Sequence, residues 1–126
     1  YPKNKFVANF IGDANVIKAE ILNKQSNSYE LKVAEMKIKL QSNKDLGEII
    51  SLALRPEKIS INKDKKENSI HATINSASFV GSSYQYILNS NAGKLFVVSS
   101  ETNDIFSVGE EVFLSINEQD LKILND

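Results

Sequence analysis

The sequence is short of several residue types that carry chemistry. Its 126 residues include no cysteine and no tryptophan, two prolines, one histidine and five glycines. Without cysteine there can be no disulfide, thiolate metal site or cysteine nucleophile. His71 alone cannot build a histidine-based zinc site or a serine triad, and its alternation with Ile70 and Ala72 predicts an exposed strand position. The glycines are scattered and no GxxxxGK[ST] occurs, which excludes a phosphate-binding loop.

Excess charge and long apolar runs are also missing. Fifteen basic and sixteen acidic residues give a net charge of -1, so no overall field favours nucleic acid or an anionic membrane. No apolar run approaches the roughly 18 residues of a membrane span, and no signal peptide is visible. The hydrophobic fraction of 41% is ordinary for a soluble globular protein. Because the chain begins Tyr-Pro rather than Met, we interpret it as an excised piece of a longer sequence.

The chain is organised around a corner at its midpoint. Pro56 fixes its own φ, donates no ladder hydrogen bond and biases Arg55 towards an extended conformation. Apolar residues 49–54 before it and the alternating residues 59–61 after it both predict strands, the first of them central. The sequence therefore predicts a bend at Arg55, Pro56 and Glu57, with a partly buried ion pair between the two charged residues. Catalysis by this pair is the minor alternative.

The N-terminal stretch has helical rather than strand periodicity. Residues 3–11 place Phe6 and Phe10 four positions apart, together with Val7 and Ile11, on one face. Gly12 follows, where a helix can end with a residue at positive φ. We expect a short helix docked by the two phenylalanines, then a turn that includes Asn15.

From residue 16 onwards the apolar period is two, which predicts strands. The predicted strands run through residues 17–21, 29–33, 36–40, 49–54, 59–61, 70–79, 84–88, 94–98, 111–116 and 120–124. The alternation slips between Ile74 and Ala77, which indicates a β-bulge. The fold predicted is all-β, with OB-like antiparallel barrels built from two five-stranded halves. The halves span residues 15–62 and 63–126, after a connecting segment at 1–14, and form two barrels or one composite barrel.

Two binding functions have partial sequence support. Tyr84, Tyr86 and Phe96 could stack on bases, but Lys94 is the only basic residue near them, which disfavours nucleic acid. An acidic set could attract a polyvalent cation such as a polyamine, although a solvated acidic loop is the commoner meaning of such a set. Its members are Glu101, Asp104, Glu110 and Glu111.

Three segments together resemble one family. Residues 2–12 (PKNKFVANFIG), followed by Asn15, resemble the passage by which ABC importer ATPases leave their nucleotide-binding domain and enter their C-terminal domain. Residues 54–59 (LRPEKI) resemble the RPE passage of that C-terminal domain. Residues 79–86 (FVGSSYQY), with Gly93 and residues 108–112 (VGEEV), are similar to the second half of the transport-associated OB, or TOBE, domain. Order and separation also match, and the resemblance covers essentially the whole chain.

The resemblance implies a C-terminal regulatory and dimerisation domain of an ATP-binding subunit. Its partners would be its own nucleotide-binding domain, a second copy of the same subunit and, indirectly, permease subunits, at the cytoplasmic face of the membrane. ATP and Mg would be bound by the ATPase domain, which this chain lacks. The family supplies no catalytic, cofactor or metal residue here, and no nucleic-acid partner is expected. The matching residues receive structural roles: Phe6, Phe10, Gly12, Asn15, Arg55, Pro56, Glu57 and Gly81.

The resemblance also bears on which solute the importer would carry. RPEKI followed by a GSSYQY-like strand is most similar to the spermidine/putrescine importer branch, while sulfate, ferric iron, phosphonate and sugar importers share parts of the pattern. Outside the family, the alternatives are a free-standing small-ligand-binding barrel or an OB-type nucleic-acid binder.

Overall fold

The structure, a computed structural model, describes residues 10–11, 14–101 and 104–124. These residues form eleven strands and two single 3-10 turns, Pro56–Lys58 and Glu118–Asp120, which confirms the all-β fold class. The strands are β1 (Phe10–Ile11), β2 (Ala14–Gln25), β3 (Ser28–Val33), β4 (Met36–Gln41), β5 (Ile49–Leu54), β6 (Ile59–Asn62), β7 (Ile70–Val80), β8 (Ser83–Ser90), β9 (Gly93–Ser99), β10 (Glu111–Ile116) and β11 (Lys122–Ile123). Among the described residues, no helix has the length and apolar character needed to cross a membrane.

The N-terminal helix prediction is wrong at its last two residues. Phe10 and Ile11 form β1 and pair antiparallel with Asn15 and Ala14 of β2, so the turn predicted to include Asn15 is a strand start instead. Backbone pairing to an existing strand outweighs the local helical spacing, because propensity is a weak prior against tertiary contacts. Residues 3–9, including Phe6, lie outside the described residues, as does Gly12.

The strands form two antiparallel sheets. The first has the order β11-β5-β2-β3-β4, with β1 also paired to β2, and the second has the order β6-β10-β7-β8-β9. Strand β6 precedes residue 63 yet pairs with β10, and β11 lies near the C-terminal end yet pairs with β5. Each half of the sequence therefore contributes its last strand to the sheet of the other half.

The two halves repeat the same order of elements. Each has a long first strand, a hairpin partner, a third and a fourth strand, a 3-10 turn and a short last strand. Both long strands are irregular, with register shifts between Ile21 and Asn23 in β2 and between Ile74 and Ser76 in β7. The second shift confirms the bulge predicted from the alternation of apolar residues.

One hydrophobic core lies between the sheets and includes residues of both. Alternation selects its members: in β5, Ile50, Leu52 and Leu54 are buried, while Ile49 is 65% exposed. β5 lies between β2 and β11, which confirms the central position predicted for it. The period-two pattern thus decides which face of each strand is inside.

Candidate functional site

The corner predicted at the midpoint joins the two sheets. Arg55 is extended at φ -69° and ψ 140°, Pro56 opens a 3-10 turn, and the chain re-enters a strand at Ile59. Pro56 is buried, and the turn packs against β9, the terminal strand of the second sheet. The Lys58 N–H donates to the Arg55 carbonyl at 3.0 Å, closing the turn. Because the proline ring already fixes φ at Pro56, little conformational entropy is lost when this turn forms.

The ion pair at the corner is exposed rather than partly buried, which corrects the prediction. Arg55 Nε lies 3.4 Å from Glu57 Oε2, with side-chain exposures of 56% and 50%. The turn buries the proline ring between the two charged residues and directs both of their side chains outward. A pair this exposed is screened by solvent and contributes little to stability.

Two open grooves lie on either side of Glu57 and Ser60. The larger groove, about 600 Å³, lies between the edge of β4 and the second 3-10 turn. The smaller groove, about 300 Å³, lies between the ends of β8 and β9 and the loop that precedes β10. Carboxylates that line them are Glu57, Glu118 and Asp120 in the larger groove and Glu57, Glu101 and Asp104 in the smaller one. Lys58, in the larger groove, is the only basic residue among the described residues that line them.

The chemistry available in these grooves is limited to hydrogen bonding and charge. Serine hydroxyls line both grooves, but His71, the general base that could activate one, lines neither. Over residues 10–11, 14–101 and 104–124, no group of three or more metal-ligating side chains is placed to hold a metal ion. The arrangement favours neither acid–base catalysis nor an anionic ligand.

Asn15 is the buried polar residue of the predicted set, at 1% exposure. Its Nδ2 donates to the Phe96 carbonyl at 2.8 Å and to the Leu54 carbonyl at 3.3 Å, and its Oδ1 accepts from the Phe96 N–H at 2.8 Å. The side chain thus ties β2 of the first sheet to β9 of the second, next to the Arg55 corner. A buried amide in a core is tolerated because its hydrogen-bonding groups are paired.

An exposed asparagine makes the same kind of contact with β4, a terminal strand of the first sheet. Asn68, at φ 55°, donates to the Lys37 carbonyl and accepts from the Lys37 N–H, both at 2.7 Å. Glu118 accepts from the neighbouring outward N–H of Lys39 at 2.8 Å. Side chains from the second half therefore occupy the free edge of β4. Asn68 is not among the residues predicted from the sequence, where its only signal is its position in a charged, turn-rich connection.

The remaining predicted residues lie elsewhere. Gly81 occupies the turn between β7 and β8 at φ +66°, two residues before Ser83, which lines the smaller groove together with Glu57. His71 is exposed as predicted; its Nε2 lies 2.7 Å from Glu111 Oε1, and its ring packs on Phe113 at 5.2 Å between centroids. The Phe10 side chain lies outside the described residues. Among the predicted residues that the structure describes, Asn15 lies next to the Arg55–Glu57 corner.

The residues named for the two sequence-based binding functions, base stacking and polyvalent cation binding, are not arranged to serve them. Tyr86 is fully buried, and its hydroxyl accepts from the Phe106 N–H at 3.2 Å, so its ring is closed to a base. The acidic set is dispersed: Glu110 accepts from the Ser107 N–H at 3.0 Å, and Glu111 pairs with His71, away from the smaller groove.

Comparison with known families gives a match over more than half of the chain. A family model described as TOBE domain matches residues 52–124. The matched region begins just before the Arg55 corner and ends just after β11.

Curated relatives align over nearly the whole chain. The chain is 26% identical over 130 residues to an Fe(3+) ions import ATP-binding protein FbpC of Fusobacterium nucleatum, covering 99% of this chain and 34% of that protein. It is 22% identical over 124 residues to FbpC of Brucella suis, covering 98% of this chain and 35% of that protein. The chain therefore spans about a third of the length of these relatives.

The fold resembles a solved structure. The cytoplasmic molybdate-binding protein ModG, with molybdate bound, superposes at a TM-score of 0.70, covering 90% of this chain and 96% of that one. Sequence identity is 11%, so the likeness concerns the fold alone.

Proposed function

Because the chain belongs to the TOBE domain family, we propose that it is the C-terminal domain of the ATP-binding subunit of an ABC importer. The observation that carries this is the family match together with alignment of 98–99% of the chain to a third of the length of import ATP-binding proteins. Such coverage is what a domain shared with a longer ATPase produces. The resemblance of residues 2–12 to a passage leaving a nucleotide-binding domain supports the same arrangement.

The role proposed for the domain is regulatory and structural. A single core, a closed corner and a buried amide between the sheets make a rigid body, and a rigid body can transmit a restraint to an attached ATPase. Its partners would be its own nucleotide-binding domain, a second copy in a homodimer and, through them, the permease at the cytoplasmic face of the membrane. ATP and Mg would bind outside this chain.

For the solute, we propose a cation, with Fe(3+) and polyamines as the two candidates. The names of the relatives support Fe(3+). The pairing of RPEKI with GSSYQY supports spermidine or putrescine. A free-standing oxyanion-binding protein is disfavoured, because carboxylates dominate both grooves beside the corner.

Reconstitution tests the proposal. The full-length polypeptide and its permease are placed in vesicles, and ATP hydrolysis is measured with binding protein loaded with Fe(3+), with spermidine, with sulfate, with a sugar or with none of these. We expect one loaded binding protein to stimulate hydrolysis above the unloaded control. Stimulation by an anion or sugar alone would refute the cation proposal, and a polypeptide that hydrolyses no ATP would refute the importer assignment.

The domain by itself should not bind nucleotide. Calorimetric titration of the 126-residue chain with Mg-ATP is expected to give no binding heat, because no phosphate-binding loop is present. The full-length polypeptide under the same conditions is the positive control. Micromolar binding by the short chain would contradict the proposal.

A further inference from the structure

Two hairpins of the repeated halves are built in the same way. β2–β3 ends in the two-residue turn Ser26–Asn27, and β7–β8 ends in the two-residue turn Gly81–Ser82. The first turn residue has positive φ in both, 55° at Ser26 and 66° at Gly81. Counting back from each turn, the second cross-strand pair is Lys24 with Tyr29 in one hairpin and Phe79 with Tyr84 in the other. The hairpins can therefore be compared position by position.

The two tips differ in polarity. In the first, Lys24 Nζ lies 5.4 Å from the centroid of the Tyr29 ring, which is buried. In the second, the Phe79 ring lies 4.8 Å from the Tyr84 ring, and Phe79 and Val80 are 56% and 51% exposed. Because the polar tip forms the same hairpin, the fold does not require apolar residues at this position. An exposed apolar cluster that the fold does not require indicates a contact surface.

The apolar tip lies near the place where the described chain begins. β1 pairs with β2 at Asn15, and Asn15 binds the backbone of Phe96 in β9. Ser99, three residues further along β9, pairs with Tyr84. At about 3.3 Å per residue, the tip is roughly 10 Å along β9 from this point. Phe10, where the described chain begins, is therefore linked through Asn15 to the same strand, β9, that flanks the β7–β8 tip.

We infer that the tip formed by Phe79, Val80 and Tyr84 docks the ATP-binding part of the same polypeptide. This inference rests on the proposed function, in which the part of the relatives outside the aligned third carries ATP binding. No charged residue occurs from position 78 to position 86, so the matching surface on the ATP-binding part is apolar. Contact at the tip gives the domain a second attachment besides the covalent one, which fixes its orientation.

Site-specific photocrosslinking in the full-length polypeptide tests the inference. A benzoylphenylalanine is placed at Val80, and the adduct formed on irradiation is mapped by peptide mass spectrometry. We expect the adduct on residues of the ATP-binding part. The matched control carries the same probe at Gln25, the equivalent position on the polar tip, and is expected to give no such adduct. Mixing isotope-labelled and unlabelled subunits tells attachment within one polypeptide from attachment between two.

The remaining outcomes overturn the inference. An adduct only on another C-terminal domain, only on the permease, equally from both positions, or from neither position would show that the tip does not dock the ATP-binding part. Circular dichroism of both labelled proteins establishes that they are folded. A full-length polypeptide with no ATP-binding part would instead refute the proposed function, so the two failures are distinguishable.

Discussion

At the scale of single residues, two side-chain amides make the hydrogen bonds to a strand backbone that a neighbouring strand makes elsewhere. Asn15 pairs with both backbone groups of Phe96 on β9, and Asn68 pairs with both backbone groups of Lys37 on β4. The two contacts have the same geometry but different surroundings, since Asn15 is buried and Asn68 is exposed. The pair therefore separates the energetic effect of burial from that of the hydrogen bonds themselves.

Asn15→Ala is expected to lower the free energy of unfolding by about 3 kcal/mol, because it removes three hydrogen bonds of a buried amide, two to the Phe96 backbone and one to the Leu54 carbonyl. Asn68→Gly, which keeps the positive φ and removes the amide, should cost less than about 1 kcal/mol, because water replaces it. Urea unfolding followed by circular dichroism measures both. Equal losses would show that burial is not what makes Asn15 important.

The Arg55–Glu57 pair should be energetically minor. A double-mutant cycle with Arg55→Ala and Glu57→Ala is expected to give a coupling free energy below about 1 kcal/mol, because the pair is solvent-screened. Thermal or urea unfolding of the four proteins supplies the cycle. A coupling near 3 kcal/mol, the size appropriate to a buried pair, would contradict the exposed geometry.

At the scale of elements, the sequence was informative wherever a strand has one face in the core. The alternation of Ile70, Ala72 and Ile74 and its slip before Ala77 correctly indicated both β7 and its bulge. Periodicity could not assign β6 and β11 to their sheets, because pairing partners are set by long-range contacts. Local spacing also misled at Phe10, where pairing with β2 replaces the helix.

The exposure of the charged side chains at the corner could not be predicted from the sequence. Arg55, Pro56 and Glu57 were correctly expected to form a corner, but the direction of the two charged side chains depends on the buried proline ring between them. The contact between Asn15 and Phe96 joins residues 81 positions apart, which no local pattern reveals.

The hairpin turns offer a test of backbone conformation without packing effects. Gly81→Ala should cost about 1 kcal/mol, because an L-residue is strained at φ +66° although its Cβ would meet no atom within 4 Å. Gly47→Ala is the matched control, since a Cβ there is equally unobstructed and φ is not in the left-handed region. It should be neutral or slightly stabilising. Equal destabilisation in urea unfolding would point to packing instead.

At the scale of the whole molecule, the two repeated halves are interlocked. Each gives its last strand to the other sheet, and one core spans both sheets. The two halves therefore depend on each other for stability. Removal of either half deprives the other of an edge strand and of the opposite side of the shared core. The predicted boundary at residues 62 and 63 falls at the start of the loop between β6 and β7, two strands of the same second sheet.

Separate halves should therefore fail to fold. Peptides of residues 15–62 and 63–126 are expected to show no cooperative urea transition alone, because each lacks a strand of its sheet and the opposing core face. Mixing them at equal concentration should restore β-type circular dichroism and one transition. A cooperative transition from one half alone would mean that this half folds without the other.

The exchanged strands also decide how the domain would bear a mechanical load. β1 and β11, at the two ends of the described chain, both lie in the first sheet, where they flank the adjacent strands β2 and β5. Tension applied through polypeptide before Phe10 or after Leu124 is therefore carried by the first sheet. The second sheet is entered along the chain through the corner at Pro56 and left through the 3-10 turn Glu118–Asp120, and Asn15 also joins it to β2. Tension between the two ends would therefore load the first sheet directly and the second sheet only through these connections and the shared core.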